Sequence, residues 1–299
     1  MRDLVSIRDL DRKEIESFLS EAAAMEKLIG KPQKVLAGKL IASMFFEPST
    51  RTNMSFQAAA KRLGAKILTF HANASSAAKG ESLSDTIRMM DGYADALVIR
   101  HPTEGAARLA ADMATHPVIN AGDGGNQHPT QTLIDLYTIK KLKGKIKGLN
   151  VTLLGDLKHA RSMRSLLYGL AMFGANVTLV SPPSLRMDGD ILSEVKEKFG
   201  AKPLQVSTAN LKGCDVLYVC RIQKERFSDP YEAEKMQKEF RVDAEMLKGA
   251  GKNLAILHPL PKVDEIPPEV DDDPRAKYFE QAKNGVPVRM AVLKKCILG

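Results

Sequence analysis

The sequence predicts an α/β protein with two domains, each a parallel β-sheet flanked by helices. Short apolar runs of strand length alternate with helical patterns from end to end, which is typical of parallel sheets with crossover helices. The 299 residues are enough for two domains of ordinary size, each with its own core. A Lys/Gly-rich stretch at residues 143–148 divides the series of elements and is the predicted boundary.

The first series opens with a helix near Asp11, since Glu14 follows three residues later in the pattern of a capping box. Gly64 marks the end of the next predicted helix, because glycine adopts the left-handed conformation that stops helices. Apolar periodicity predicts strands at 40–46, 66–70, 96–100 and 117–121, and helices at 54–63, 82–93 and 104–114.

A second series follows a long predicted helix at residues 130–142. Its strands are predicted at 151–155, 177–180, 216–220 and 254–257. An apolar helix at 287–298 closes the series and could pack on either domain. The long connections at 71–80 and 260–277 are either surface loops, which is the commoner case, or active-site lids.

Composition narrows the class of protein. Hydrophobic residues at 44% and charged residues at 27% indicate a soluble globular chain. The first six residues lack the apolar core of a signal peptide, so we expect a cytoplasmic protein. Three cysteines without CxxC spacing and six scattered histidines predict ordinary buried thiols and no metal site.

The net charge of +8 raises the question of nucleic-acid binding. The basic residues are spread along the chain, and aromatic residues make up only 5% with no Trp, so a base-stacking platform is not expected. Solvated helix faces and a site for a small anion account for the charge.

The strongest chemical signal is Phe46-Glu47-Pro48-Ser49-Thr50-Arg51-Thr52, between a predicted strand and a predicted helix. Backbone N–H groups at a helix start are unpaired, and the helix dipole favours an anion there. Hydroxyl groups and the planar guanidinium of Arg51 suit phosphate. Taken alone, the segment is better interpreted as a capping sequence with a solvated arginine.

Two further polar clusters follow neighbouring predicted strands. They are Arg100-His101-Pro102 and Asn126-Gln127-His128-Pro129-Thr130-Gln131. Because ligand groups converge at the carboxyl ends of parallel strands, we expect all three clusters to line one crevice.

These segments together resemble the transcarbamoylase family. The resemblance rests on Ser49-Thr50-Arg51-Thr52 with Ser55-Phe56, on Arg100-His101-Pro102, and on His128-Pro129-Thr130-Gln131. Further landmarks run through the whole chain, namely Lys79-Gly80-Glu81-Ser82, Gly155-Asp156-Leu157-Lys158, Arg221-Ile222-Gln223-Lys224-Glu225-Arg226 and His258-Pro259-Leu260-Pro261. The resemblance implies a carbamoyl phosphate-binding domain at 1–142, joined by the C-terminal helix 286–299, and an acceptor-binding domain at 143–285.

The family's roles carry over to matching positions. The residues expected to bind carbamoyl phosphate are Ser49, Thr50, Arg51, Thr52, Ser75, Lys79, Arg100, His128, Gln131, Pro259 and Leu260. Those expected to act in catalysis are Arg51, Thr52, Lys79, Arg100 and His128. Ser75 and Lys79 would reach the site of a neighbouring subunit, so the resemblance implies a homotrimer with shared sites, with no cofactor or metal. Separate zinc-binding regulatory chains associate with some members of the family.

The acceptor amine distinguishes two branches of the family. Aspartate brings two carboxylates, which need paired cations, whereas ornithine brings a distal ammonium group. Arg161 and Arg221 follow predicted strands of the second domain and suit a dicarboxylate. The aspartate branch is favoured, and the residues expected to bind the acceptor are Lys79, Arg161, Arg221 and Gln223. The implied reaction forms N-carbamoyl-L-aspartate and phosphate, an early step of de novo pyrimidine biosynthesis.

The segment His258-Pro259-Leu260-Pro261 supports this branch, because ornithine enzymes resemble one another in a His-Cys-Leu-Pro motif. The chain departs from the usual family pattern at Asn53 and Lys262, each in place of Arg, and at His159-Ala160 before Arg161. A Lys for Arg exchange can lose a bidentate ion pair.

Three alternatives remain. One is a carbamoyltransferase with another acceptor, against which Arg221 and Gln223 argue. The second is a non-enzymatic anion-binding scaffold, which a turnover assay would distinguish. The third is a nucleotide-binding protein, suggested by Leu154-Gly155-Asp156, although the chain lacks GxGxxG and Walker motifs.

Overall fold

The computed structural model describes residues 3–71, 80–223, 227, 229, 231, 236 and 239–299. The chain forms two compact units. Unit 1 comprises Met1–Tyr137 and Asn284–Gly299, and unit 2 comprises Thr138–Lys283. Of the predicted site residues, Ser75 and Lys79 lie outside the described residues, as does the segment 224–226 of the family motif.

Unit 1 is built on a parallel sheet of four strands in the order β2-β1-β3-β4. The strands are β1 Leu40–Phe45, β2 Lys66–His71, β3 Ala96–His101 and β4 Val118–Asp123. Registers such as Phe45 opposite both His71 and Arg100 align the carboxyl ends of three strands. The residues that follow these strands therefore lie along one edge of the sheet.

Helices connect and flank the strands of unit 1. They are α1 Arg12–Glu26, α2 Thr50–Arg62, α3 Leu83–Asp91, α4 Ala106–Met113 and α5 Pro129–Lys143, which runs on into unit 2. The predicted capping box is confirmed: Asp11 accepts from the N–H of Glu14, and the Glu14 carboxylate accepts from the N–H of Asp11.

Unit 2 is built on a parallel sheet of five strands in the order β7-β6-β5-β8-β9. The strands are β5 Asn150–Leu154, β6 Asn176–Val180, β7 Leu204–Val206, β8 Val216–Val219 and β9 Ala255–Leu257. Its described helices after α5 include α6 Arg161–Met172, α7 Gly189–Phe199 and the short α8 Ala244–Leu247. The predicted strands are present, and β7 is a short strand that periodicity did not reveal.

The C-terminal helix α9, Tyr278–Leu298, ends the chain. Its last turns pack on α1 within unit 1, where Lys294 forms an ion pair with Glu21 at 2.8 Å and Lys295 lies 5.7 Å from the Phe18 ring centre. This confirms the predicted fold class and the packing of the C-terminal helix on the first unit.

Two helix boundaries differ from the prediction. Helix α2 begins at Thr50, four residues earlier than expected, because the anion-motif residues themselves form its first turn. Helix α9 begins at Tyr278 and continues through Pro287, the residue at which the apolar pattern predicts its start. Proline removes only one N–H donor, and the surrounding helix tolerates that loss.

Buried apolar side chains of the strands and helices form the core of each unit. All three cysteines are buried, as expected of ordinary thiols. Burial raises the pKa of Cys220 well above the ordinary range, so this thiol stays protonated at neutral pH. Within the described residues, no helix is both long enough and apolar enough to cross a membrane.

Candidate active site

The anion motif of unit 1 forms the turn from β1 into α2. Ser49 is the N-cap residue, with an extended backbone (φ −159°, ψ 91°), and its side chain makes no capping hydrogen bond to its own helix. The hydroxyl and the N–H groups of the first helical turn therefore do not satisfy each other. Arg51 is exposed, whereas Thr52 is only 7% exposed. This turn offers a helix N-terminus, hydroxyl groups and a guanidinium to an anion.

Arg100 stands beside the anion motif. It is the penultimate residue of β3, opposite Phe45, and the backbone N–H of Phe46 donates to its carbonyl oxygen at 2.9 Å. One Arg100 nitrogen, Nη2, lies 2.7 Å from Oε1 of Glu47 in a half-buried ion pair. An incoming phosphate group would have to share this arginine with Glu47 or replace the carboxylate.

The third cluster lies where β4 turns into α5. His128 is 6% exposed, and its Nδ1 lies 3.4 Å from the Thr130 hydroxyl. The side-chain nitrogen of Gln131 donates to Asp135 at 2.8 Å. The Gln131 amide oxygen is therefore the atom suited to accept from a ligand N–H group.

A buried carboxylate organises the turn before His128. Asp123 is 1% exposed, and its two oxygens accept from the backbone N–H groups of Gly105 and Gln127 at 3.0 and 3.1 Å. The side-chain amides of Asn120 and Asn126 donate to the same carboxylate at 2.9 and 3.1 Å. This network fixes the path of the chain into α5.

In unit 2, Arg161 is the first residue of α6, close after the end of β5. Between them, Gly155 has φ +126°, and a Cβ there would lie 2.2 Å from the Cys220 carbonyl oxygen. Only glycine permits this approach between the ends of β5 and β8. Asp156 is fully buried and accepts from the backbone N–H of His159 at 2.9 Å, which fixes the loop before Arg161.

Arg221 and Gln223 follow β8, the neighbour of β5 in the sheet. Both side chains are half-buried. Because parallel strands end at the same edge, Arg161 and Arg221 are placed at the ends of adjacent strands of one sheet. Two cations so placed suit a ligand with two carboxylates.

The segment after β9 is held by a buried His–Glu pair. His258 Nε2 lies 2.8 Å from Oε1 of Glu265, and its Nδ1 accepts from the backbone N–H of Leu260 at 2.8 Å. Burial is the largest single effect and favours the protonated acid, but the hydrogen bond and charge of His258 together with backbone hydrogen bonds outweigh it and lower the pKa of Glu265. Leu260 is held in a left-handed conformation with φ +56°.

The departures from the family pattern have local explanations. Asn53 accepts from the Ser43 hydroxyl at 3.1 Å and from the Gln57 amide at 2.9 Å, so it ties α2 to β1. Lys262 lies 3.0 Å from the Asp271 carboxylate and donates to the Ile266 carbonyl at 3.2 Å, which braces the loop after Leu260.

Of the predicted residues that the structure describes, those of each unit therefore follow the carboxyl ends of strands in their own sheet. Sequence reasoning missed Glu47 as the partner of Arg100, the Asp123 network, and a buried arginine in α9, Arg289. The sequence does contain a signal for Arg289, because this single arginine interrupts the apolar run Val288-Arg289-Met290-Ala291-Val292.

Comparison with known families matches nearly the whole chain. The carbamoyl-P binding domain of aspartate/ornithine carbamoyltransferases matches residues 2–141. The Asp/Orn binding domain of the same enzymes matches residues 147–296.

Individual relatives agree over their full length. The aspartate carbamoyltransferase catalytic subunit of Methanopyrus kandleri is 52% identical, covering 98% of this chain and 96% of the relative. The solved catalytic subunit of Methanocaldococcus jannaschii aspartate transcarbamoylase has a TM-score of 0.92 at 50% identity, covering 99% of this chain and 98% of the other. Trypanosoma cruzi aspartate transcarbamoylase in complex with carbamoyl phosphate and aspartate has a TM-score of 0.92 at 36% identity, covering 98% and 94%.

Proposed function

Because this chain belongs to the aspartate/ornithine carbamoyltransferase family, we propose that it transfers the carbamoyl group of carbamoyl phosphate to the α-amine of L-aspartate. The products are N-carbamoyl-L-aspartate and phosphate. The observation that carries the proposal is the 52% identity to an aspartate carbamoyltransferase catalytic subunit across nearly the whole of both chains. Arg161 and Arg221, at the ends of adjacent strands, support a dicarboxylate acceptor.

Carbamoyl phosphate binds to the unit 1 edge in this proposal. Its phosphate group lies against the start of α2, where the residues 49–52 and Arg100 supply N–H, hydroxyl and guanidinium donors. The NH2 group of the carbamoyl moiety donates to the Gln131 amide oxygen, since the Gln131 nitrogen is already committed to Asp135. The backbone carbonyl groups of Pro259 and Leu260 accept from the same NH2 group.

The chemical step is attack of a neutral amine on the carbonyl carbon. Negative charge develops on the carbonyl oxygen in the tetrahedral intermediate, and Thr52, Arg100 and His128 donate to it. The C–O bond to phosphate then breaks, and Arg51 stabilises the leaving group. The amine proton passes to a phosphate oxygen of the bound substrate, so the reaction needs no dedicated basic residue. Catalysis rests on positioning and electrostatic stabilisation.

L-Aspartate binds to the unit 2 edge through its two carboxylates. Arg161 and Arg221 each offer a guanidinium able to form two parallel hydrogen bonds to a carboxylate, and Gln223 adds a neutral amide. The proposed functional division assigns residues 1–142 and 286–299 to carbamoyl phosphate and residues 143–285 to aspartate, except for the carbonyl groups of Pro259 and Leu260, which are assigned to carbamoyl phosphate.

The assembly proposed for the chain is a homotrimer with shared sites. Ser75 and Lys79 of one subunit contribute to a neighbour's site, with Lys79 touching both substrates. The setting is cytoplasmic, in the early steps of pyrimidine biosynthesis, and association with separate regulatory chains is compatible with this role. Sedimentation of the purified chain, with and without Lys79→Ala, tests the trimer independently of turnover.

The decisive experiment is carbamoyl transfer by the purified chain, with aspartate and ornithine assayed in parallel. Product with aspartate alone is the expected result. Product with ornithine would mean that Arg161 and Arg221 do not select a dicarboxylate. No product with either amine, from folded protein, would indicate an inactive or partner-dependent relative.

A further inference from the structure

Arg289 places a charge in the interior of unit 1. It lies in α9 between buried apolar residues and is only 4% exposed. Arginine is rarely buried to this extent without a paired carboxylate, because taking a charge out of water costs several kcal/mol or more. This residue therefore requires a physical explanation.

Arg289 contacts α2, the helix that carries the anion motif. Nη1 donates to the Ser55 hydroxyl at 2.5 Å, and the guanidinium lies 4.9 Å from the centre of the Phe56 ring. Ser55 is one helical turn after Thr52 and itself donates to the Thr52 carbonyl oxygen at 3.0 Å. The Nε atom of Arg289 has no hydrogen-bond partner within the described part of the chain.

Another arginine and one carboxylate act on the charge of Arg289. Burial is the main cause that lowers the pKa of Arg289, to about 9, and the like charge of Arg100 lowers it further, while Asp135 opposes both. Asp135 is also the acceptor for the Gln131 amide. The side chain stays cationic at neutral pH, so Arg289 adds a buried positive charge against the helix that carries the anion motif, where Glu47 already pairs with Arg100.

The helix makes room for this guanidinium at Gly285, one turn earlier. A Cβ at Gly285 would lie 2.9 Å from Nη1 of Arg289. Glycine in a helix interior is destabilising relative to alanine. Both the glycine and the buried charge therefore lower stability.

We propose that Arg289 is a positioning residue for the phosphate group of the substrate, which supplies buried positive charge to the anion motif and holds its helix through Ser55. This inference rests on the proposed function for the identity of the ligand, but the site itself needs only a phosphate-like anion. Binding of that anion brings a negative charge towards the buried cation of Arg289, so their attraction offsets part of the unfavourable burial and contributes to affinity.

A purely structural role makes the opposite prediction about stability. If Arg289 only held α9 in place, its replacement by methionine would destabilise the protein. If it serves the anion, replacement by an apolar residue of similar length removes a poorly compensated buried charge and leaves stability unchanged or higher. The two roles are therefore distinguished by the sign of one measurement.

The experiment measures two properties of four variants. The first is the affinity for inorganic phosphate, from inhibition of carbamoyl transfer and from calorimetry. The second is the resistance to unfolding by urea. Arg289→Met should weaken phosphate binding by about tenfold or more, from the Coulomb energy of a nearby charge at an effective dielectric constant near 20. Its resistance to urea should equal or exceed that of the wild type. Arg289→Lys keeps the charge and should restore most of the affinity, to within about threefold.

Gly285→Ala provides a variant that keeps Arg289 but displaces its guanidinium. It should weaken phosphate binding without a loss of stability, since alanine favours the helix. The matched control is Lys294→Met, which removes a charge from the same helix where it pairs with Glu21 on the surface of α1. Its phosphate affinity should stay within about twofold of wild type, because this half-buried ion pair joins α9 to α1 and not to the helix that carries the anion motif.

Phosphate affinity unchanged in folded Arg289→Met, or a loss of affinity matched by a loss of stability and not restored by lysine, would overturn the inference. If Arg289→Met does not fold, the phosphate affinities of Gly285→Ala and Arg289→Lys decide in the same way. The calorimetric measurement does not depend on turnover. A wild type that binds phosphate but transfers no carbamoyl group would therefore refute the proposed function and leave this inference testable.

Discussion

Replacing His128 by alanine removes one donor from the proposed oxyanion site. The residue is 6% exposed and directly precedes the first residue of α5, so the substitution removes an imidazole without changing a strand or helix interior. A single donor to a developing oxyanion contributes about 3 kcal/mol, and each 1.36 kcal/mol is a factor of ten in rate. We therefore expect turnover to fall by about 10- to 200-fold.

The assay is steady-state carbamoyl transfer at saturating carbamoyl phosphate and aspartate, with thermal unfolding measured on the same samples. The matched control is His116→Ala, because His116 precedes β4 at the opposite edge of the same sheet and contacts Asp91 at 3.0 Å. The control should lose about 1 kcal/mol of stability and keep its turnover.

Turnover of His128→Ala within twofold of wild type, in folded protein, would refute the reasoning. Equal losses of turnover in both variants would also refute it, since the effect would then follow from destabilisation and not from a missing donor.

Three further predictions follow from unit 2 and its strand ends. Arg221→Ala should raise the KM for aspartate by tenfold or more while phosphate binding stays within about twofold, and a matching loss of phosphate affinity would contradict the division of roles. Gly155→Ala should lower the free energy of unfolding in urea by about 3 kcal/mol or more, because the new Cβ would lie 2.2 Å from a backbone oxygen. In the control Gly174→Ala the new Cβ meets only a side-chain atom at 3.7 Å, so the free energy of unfolding should fall by about 1 kcal/mol. His258 and backbone hydrogen bonds together outweigh burial and lower the pKa of Glu265, so its ionised form contributes stability at pH values above the ordinary pKa near 4.5. That contribution disappears as the pH falls through the lower pKa of the folded state. The stability gap between wild type and Glu265→Gln should therefore be widest near pH 7 and shrink below about pH 4.5, and a gap independent of pH would count against this.

Local signals in the sequence predicted most of the secondary structure. The helix start at Asp11 was predictable because both partners of the capping box are three residues apart. The strands were predictable because their apolar runs are short and bounded by turns. Helix α9 was predicted too short, since proline at 287 is an unfavourable but tolerated helix residue, and only the packing of the whole helix decides its length.

The candidate site was predictable where its residues form contiguous motifs. Residues 49–52, Arg100 and the segment from His128 to Gln131 each follow a strand, and the rule for parallel sheets places them at one edge. Partners from distant parts of the chain were not predictable in the same way. The ion pair of Glu47 with Arg100 joins residues of neighbouring strands, and the N–H of Gly105 donates to Asp123, 18 positions further along the chain.

The sequence by itself determined the fold class, the resemblance to the transcarbamoylases and the residues able to hold a phosphate group and a dicarboxylate. These depend on residue type and spacing, which a linear chain carries. The tertiary structure alone decided that Arg289 meets Ser55, 234 positions away, and that its charge is buried beside Arg100. Burial and long-range electrostatics depend on which elements pack together, and no local pattern specifies that.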